Sequence, residues 1–289
     1  MMQDYPVLWF WNRLPHSLFS NLKNLTVTMC GFVKLIPFHV LRSLNHLEDL
    51  VVRDCYILEV IFDLEELNDY NGEIQPLVVV PLKTLILLDL PELQNVWSNN
   101  NNAPQGLVSF RCLQEVIASS CEKLNSIFPA SIAKDMSCLE ELKIKDCSID
   151  VIVANQDGQA SESVVDDDTL IVFPRLTFLY LDDLPNLRNF YPHRHRLKWP
   201  CLEELYVVFT DLDLFENEAS SSSSAIHHEE MKPDSKYPLL SHEEDFPKLE
   251  VLYLEGEEAR MMLNIQLPKS KFPKVKDLNL LQFGRTTNA

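Results

Sequence analysis

The hexamer L-x-x-L-x-L occurs nine times in this chain, and nothing else in the sequence restricts the fold as much. It reads LKNLTV from Leu22, LEDLVV from Leu47, LKTLIL from Leu82, LQEVIA from Leu113 and LEELKI from Leu139. It continues as LTFLYL from Leu176, LEELYV from Leu202, LEVLYL from Leu249 and VKDLNL from Val275. Successive first positions are 25, 35, 31, 26, 37, 26, 47 and 26 residues apart. The second half of the hexamer alternates, so its fourth and sixth residues face one side of an extended strand and the fifth faces the other. One copy alone cannot hide its apolar row. Copies stacked side by side build a parallel sheet over a continuous core. Nine strands at the usual spacing give a sheet roughly 38 Å across.

The phase runs on past the hexamer. Eight residues after the first leucine stand Cys30, Cys55, Leu90, Cys121, Cys147 and Leu184. Three residues further come Leu58, Leu93, Leu124 and Leu187, and three more give Ile61, Val96, Ile127 and Phe190. The first copy has two extra residues before Leu35, and the fifth is one short at Ile152. Aromatic–proline pairs precede several copies: FPRL at Phe173, WPCL at Trp199, FPKL at Phe246 and FPKV at Phe272. A spacing of 25 or 26 falls in the range of about 20–29 residues of leucine-rich repeats. The expected fold is therefore α/β: a single leucine-rich-repeat solenoid over 1–289, a horseshoe with a concave parallel sheet of about nine strands and irregular convex returns. The strands are expected near 22, 47, 82, 113, 139, 176, 202, 249 and 275. Helix should be scarce, since the returns are rich in Pro and β-branched residues.

Charge locates what the long spacings contain. The chain has 25 basic and 43 acidic residues, a net charge of −18. Three segments, 63–73, 154–168 and 211–245, hold twenty of the acids and only two lysines, which is the whole excess. They read as loop insertions, near 63–75, 154–168 and 211–245, into single repeats. So acidic a chain lacks the basic footprint that nucleic acid or an anionic membrane requires. No apolar run is long enough for a membrane span. The N-terminus, with an early acid and no basic region, does not read as a secretory signal.

No catalytic constellation is visible. H-E-x-x-H, G-x-S-x-G, G-x-x-x-x-G-K-[ST] and G-x-G-x-x-G are all missing from the sequence. No cofactor and no metal site is expected, and the chain is read as a non-enzyme. His193-Arg194-His195-Arg196 and His227-His228-Glu229-Glu230 read as solvated loops. All seven cysteines sit in repeat register without a C-x-x-C pair. They read as free thiols, which fits a reducing, cytoplasmic location.

Two repeat types occur. One reads CLQEVIASSCEKLNSIFP (Cys112 to Pro129) and CLEELKIKDCSIDVI (Cys138 to Ile152). The other reads FPRLTFLYLDDLPNLRNFY (Phe173 to Tyr191) and PLKTLILLDLPELQNVW (Pro81 to Trp97). The pairing resembles the leucine-rich-repeat region of plant intracellular nucleotide-binding disease-resistance proteins (NLRs), the coiled-coil class especially. That resemblance implies a cytosolic immune-receptor module that senses pathogen effectors and helps restrain a nucleotide switch. Its implied partners are a pathogen effector or guarded host protein, and other domains of the same receptor. The chain departs from the family by having neither P-loop nor coiled-coil pattern. Val7-Leu8-Trp9 resembles the return Asn95-Val96-Trp97, so the chain is expected to start within a repeat, as a fragment of a larger receptor. Two other readings remain: a leucine-rich adaptor or substrate receptor of a ubiquitin ligase, which an F-box would favour, and an inhibitor-like binder of a basic protein.

The outward fifth positions include Ile86, Ile117, Lys143, Tyr180, Tyr206 and Tyr253. Stacking should align the three tyrosines on successive strands. Phe178, Asp182, Glu203, Glu204, Phe209, Glu250 and Glu255 flank them. Exposed tyrosines give large contact area at little entropic cost, and acids around them steer a basic partner. This face is the candidate protein-binding site.

Overall fold

The computed structural model describes residues 16–64, 77–98, 108–154, 169–170, 173–191, 196–197, 199–210, 246–256 and 272–281, with Trp11, Leu14 and Ala259. Its main element is a nine-stranded sheet whose strands follow one another in chain order. They are β1 Asn24–Thr28, β2 Asp49–Arg53, β3 Thr84–Leu88, β4 Glu115–Cys121 and β5 Glu141–Cys147. The rest are β6 Phe178–Leu184, β7 Glu204–Thr210, β8 Val251–Glu255 and β9 Asp277–Leu281. Every neighbouring pair is parallel. Each strand begins two residues after the first position of its hexamer.

Sequence spacing and sheet register agree at all interfaces. Asp49 pairs with Thr84, Glu141 with Phe178, and Glu204 with Val251. These are the 35-, 37- and 47-residue spacings of the hexamer, so the long repeats leave the register intact. The three acidic insertions lie almost wholly outside the described residues; Asp63 and Ala154, each closing a short strand, and the buried Leu64 are seen.

The fourth and sixth positions fill the core. Leu50, Val52, Leu85, Leu87, Val116, Ala118, Leu142, Ile144, Leu179, Leu181, Leu205, Val207, Leu252 and Leu254 are fully buried. Among the described residues the two edge strands have a neighbouring strand on one side only: Leu25 and Val27 are half-buried, and Leu278 is exposed. A cavity of about 390 Å³ opens beside β1, lined by Trp11, Phe19, Leu25, Val27, Phe32 and Leu35 among others.

Strands end on a recurrent left-handed residue: Met29, Asp54, Asp89, Ser120, Asp146 and Asp183, with φ between 50° and 56°. Gly256 takes the same place after β8, at φ 93°. Asp tolerates this region better than most residues, since its short side chain bonds locally. The next residue turns back into the core. Cys55, Cys121 and Cys147 are buried there, each thiol donating to the carbonyl two residues earlier. The amide of Cys30 donates to Cys55 Sγ at 3.3 Å, so the thiols also bridge neighbouring repeats. Cys30 itself is only half-buried, and burial pushes its thiol pKa up to about 12.

The returns are more regular than the sequence suggested. Lys34–Pro37, Val60–Asp63 and Asn95–Trp97 form a three-stranded parallel sheet, and Phe128–Pro129 pairs with Val153–Ala154. The helices described over their whole length are four-residue turns, His16–Phe19, Phe38–Leu41 and Ala130–Ala133. Behind the sheet runs an aromatic spine. Phe62, Trp97, Phe128, Phe173, Phe190, Trp199 and Phe246 touch in sequence, and Phe110 packs against both Phe62 and Trp97, with centroids 4.7 to 6.3 Å apart. The aromatic–proline pairs before the strands supply three of its members, Phe173, Trp199 and Phe246.

The strand phase is testable at one pair of residues. Leu142 is fully buried, whereas Glu141 faces solvent beside Lys143. Leu142→Asp places an unpaired carboxylate in the core, costing several kcal/mol, a large part of the roughly 5–15 kcal/mol that a domain has. Glu141→Gln loses one part-exposed ion pair, worth about 1 kcal/mol or less. Thermal unfolding of the two variants should separate them clearly; equal destabilisation would mean that the phase is wrong by one residue.

Candidate functional site

The fifth positions of the nine strands form one continuous row. In order they are Thr26, Val51, Ile86, Ile117, Lys143, Tyr180, Tyr206, Tyr253 and Asn279. The β2–β4 end is aliphatic, Lys143 stands at the centre, and three tyrosines follow. Because the row is set by backbone register, rings from residues 26 and 47 positions apart in sequence become neighbours. Tyr206 lies 5.9 Å from Tyr180 and 5.6 Å from Tyr253, the latter stacked at 29°. Phe178, two residues before Tyr180 on β6, adds a fourth ring 5.4 Å from Tyr206. All four rings are partly exposed.

Each tyrosine hydroxyl donates to an acid of its own strand. Tyr180 Oη reaches Asp182 Oδ2 at 2.9 Å, Tyr206 reaches Glu204 Oε2 at 3.1 Å, and Tyr253 reaches Glu255 Oε2 at 2.9 Å. These residues are two apart, on the same face of a strand. The bonds fix the ring orientations and leave the second oxygen of each carboxylate to other donors.

The flanking acids are not equivalent, which the sequence could not show. Asp182 is 92% shielded, at 8% relative exposure, and Lys145 Nζ on β5 lies 3.0 Å from it. It is a neutralised acid of the sheet rather than part of an open rim, because register sets Lys145 opposite it. Glu250 precedes β8 and is tied to Lys276 at 2.8 Å. Glu203 precedes β7 and is exposed; Glu204 and Glu255 are partly exposed. Among the described residues none of these three has a cationic partner. Phe209 belongs to β7 by its backbone, and its side chain lies outside the described residues. Lys143 sits between Glu141, at 2.8 Å, and Glu115, at 3.6 Å. The middle of the face is therefore charge-compensated, and the β7–β9 end is not.

Among the described residues no group of three or more His, Cys, Asp or Glu is placed to hold a metal ion, and no helix is long and apolar enough to cross a membrane. The tracts His193–His195 and His227–Glu230 lie outside the described residues.

The three phenols hold their protons above the ordinary value near 10. Burial is the first cause for Tyr180 and Tyr206, and the hydrogen bond to Glu255 is the first cause for Tyr253. A raised folded-state value means that the stability contributed is intact below the ordinary phenol pKa and falls as pH rises through the folded one. An alkaline titration followed by tyrosine ¹³Cζ NMR should show all three ionising late. Glu255→Gln should bring Tyr253 back toward 10 and leave Tyr180 raised; a Tyr253 that still titrates as late in Glu255→Gln would contradict the assigned cause.

Comparison with known proteins gives a family and no structural neighbour. Residues 2–148 match the family described as plant disease resistance protein RPS2-like, leucine-rich repeats. No solved structure matches the chain. The matched stretch covers half the chain and takes in β1 to β5, the same repeats whose register and burial are described above. The chain belongs to the leucine-rich repeats of RPS2-like plant disease resistance proteins.

Proposed function

We propose that this chain is the non-enzymatic surface by which a plant immune receptor recognises a protein, either a pathogen effector or a host protein under guard. On this reading the same domain contacts other parts of its receptor and helps hold it inactive until the partner arrives. The observation that carries the proposal is the row Tyr180–Tyr206–Tyr253 with Phe178, four part-exposed rings packed on three adjacent strands. Rigid aromatic side chains held by backbone register present a preorganised contact surface, the arrangement favoured at binding hot spots. The carboxylates of Glu203, Glu204 and Glu255 beside it favour a basic partner and speed its approach. The seven cysteines, none in a disulfide, suit a cytoplasmic location.

The test is alanine at Tyr180, Tyr206 and Tyr253 together, in an immune receptor carrying this repeat region. The expected outcome is loss of the defence response with little change in the melting curve. Binding to the wild type should also weaken as salt rises, because the acidic rim is solvent-exposed and screened. A normal response from the triple variant would remove the tyrosine row as the recognition surface.

A further inference from the structure

Two pairs of cysteines hold the same place in adjacent repeats, just past the left-handed residue at the end of the strand. Cys121 and Cys147 are partners in the register of β4 and β5. Cys30 and Cys55 continue the register of β1 and β2, two residues beyond the partners Thr28 and Arg53. Neighbouring strands lie about 4.8 Å apart, inside the range of Cα separations that a disulfide spans. The Cys30 amide donates to Cys55 Sγ at 3.3 Å, so that sulfur already lies against the backbone of its neighbour. After burial, the Cys55 thiol is the next cause of the raised Cys30 pKa, a second sign that the two side chains meet.

Access separates the pairs. Cys121 and Cys147 are both enclosed in the core. Cys30 is half-buried and lines the cavity beside β1, with Trp11, Phe19, Val27 and Phe32. A small neutral molecule entering that cavity meets one thiol directly and finds the second behind it.

We propose that Cys30 and Cys55 are an oxidisable dithiol, which a hydroperoxide converts to a disulfide joining the first repeat to the second and a thiol reductant restores. With hydrogen peroxide, the Cys30 sulfur loses its proton and attacks one peroxide oxygen. The O–O bond breaks, and Cys30 sulfenic acid and one water result. The Cys55 sulfur then attacks the sulfenic sulfur. The departing hydroxide takes the Cys55 proton and leaves as a second water. Two thiols have given up two electrons and the peroxide has accepted them. The surroundings tolerate the change. Arg53 O accepts the Cys55 thiol at 3.2 Å, and it keeps the Met29 amide, also at 3.2 Å, when the thiol proton is gone. The reaction is slow near neutral pH, because a desolvated thiol yields little thiolate. Its consequence is mechanical. Among the described residues β1 has one neighbouring strand, and the bond ties it to that strand covalently.

The test holds the reduced full chain in millimolar hydrogen peroxide, digests it without reductant and reads the peptides by mass spectrometry. A pair joined through Cys30 and Cys55, lacking two hydrogens, should form and should separate in dithiothreitol. Cys121 and Cys147 should stay reduced over the same exposure. Cys30→Ser should abolish the link, and the wild-type map stands without it if that variant folds poorly. Amide hydrogen exchange in the wild type should slow about a hundredfold across Asn24–Thr28 on oxidation, and stay unchanged in β6. Three results would each overturn the proposal: Cys30 oxidised to sulfinic acid or joined to another molecule in place of Cys55, a Cys121–Cys147 bond forming as fast, or unchanged exchange of β1 in the linked chain.

Discussion

A single repeat of this chain has leucines on one edge of a strand and nothing of its own to cover them. Burial is completed only by the repeats on either side, so the unit of stability is the interface between copies rather than the copy. Everything else depends on that stacking. It makes the sheet parallel, because every repeat enters and leaves in the same direction. It makes the register uniform, because a slip of one residue would turn Leu142 or Leu205 out to solvent. It also accounts for β1 and β9, which have one neighbouring strand each among the described residues and whose Leu25, Val27 and Leu278 are only partly shielded.

The same register that buries the leucines places the outward side chains in rows, and rows turn single residues into a surface. Lys143, Tyr180, Tyr206 and Tyr253 are scattered over more than a hundred residues of sequence and adjacent in space. Where charges meet across strands they cancel, as in Lys145 with Asp182 and Lys83 with Glu48. The Lys83–Glu48 pair, open to solvent on both sides, adds little to stability. The effect of these pairs is on specificity: they remove the charge of the middle strands and leave net negative charge beside the tyrosines of β7 and β8.

The fold was legible because its signal is periodic. Nine phased hexamers specify strand number, order and register, and the 35-, 37- and 47-residue spacings tolerate insertions since loop length does not alter which leucine meets which. The row Tyr180–Tyr206–Tyr253 was legible for the same reason. Contacts that depend on side-chain length and rotamer were not. Asp182 looks like any outward acid until Lys145 is known to lie across from it. The ladders of the returns were hidden because segments such as Lys34–Pro37 and Asn95–Trp97 are short and contain no alternating pattern. The left-handed turn before each ladder position did leave a trace, the aspartates at 54, 89, 146 and 183, but Met29 and Ser120 take that conformation with no such signal.

At the centre of this account is a register that brings three distant tyrosines into contact on one face. Proton–proton NOEs between their rings, measured in the full chain with selectively labelled tyrosine, examine it directly. Tyr206 should show ring cross-peaks to both Tyr180 and Tyr253, whose centroids lie 5.9 and 5.6 Å away, with none between Tyr180 and Tyr253 of comparable strength. If Tyr206 shows cross-peaks to neither ring, the register and the recognition face built on it are both wrong.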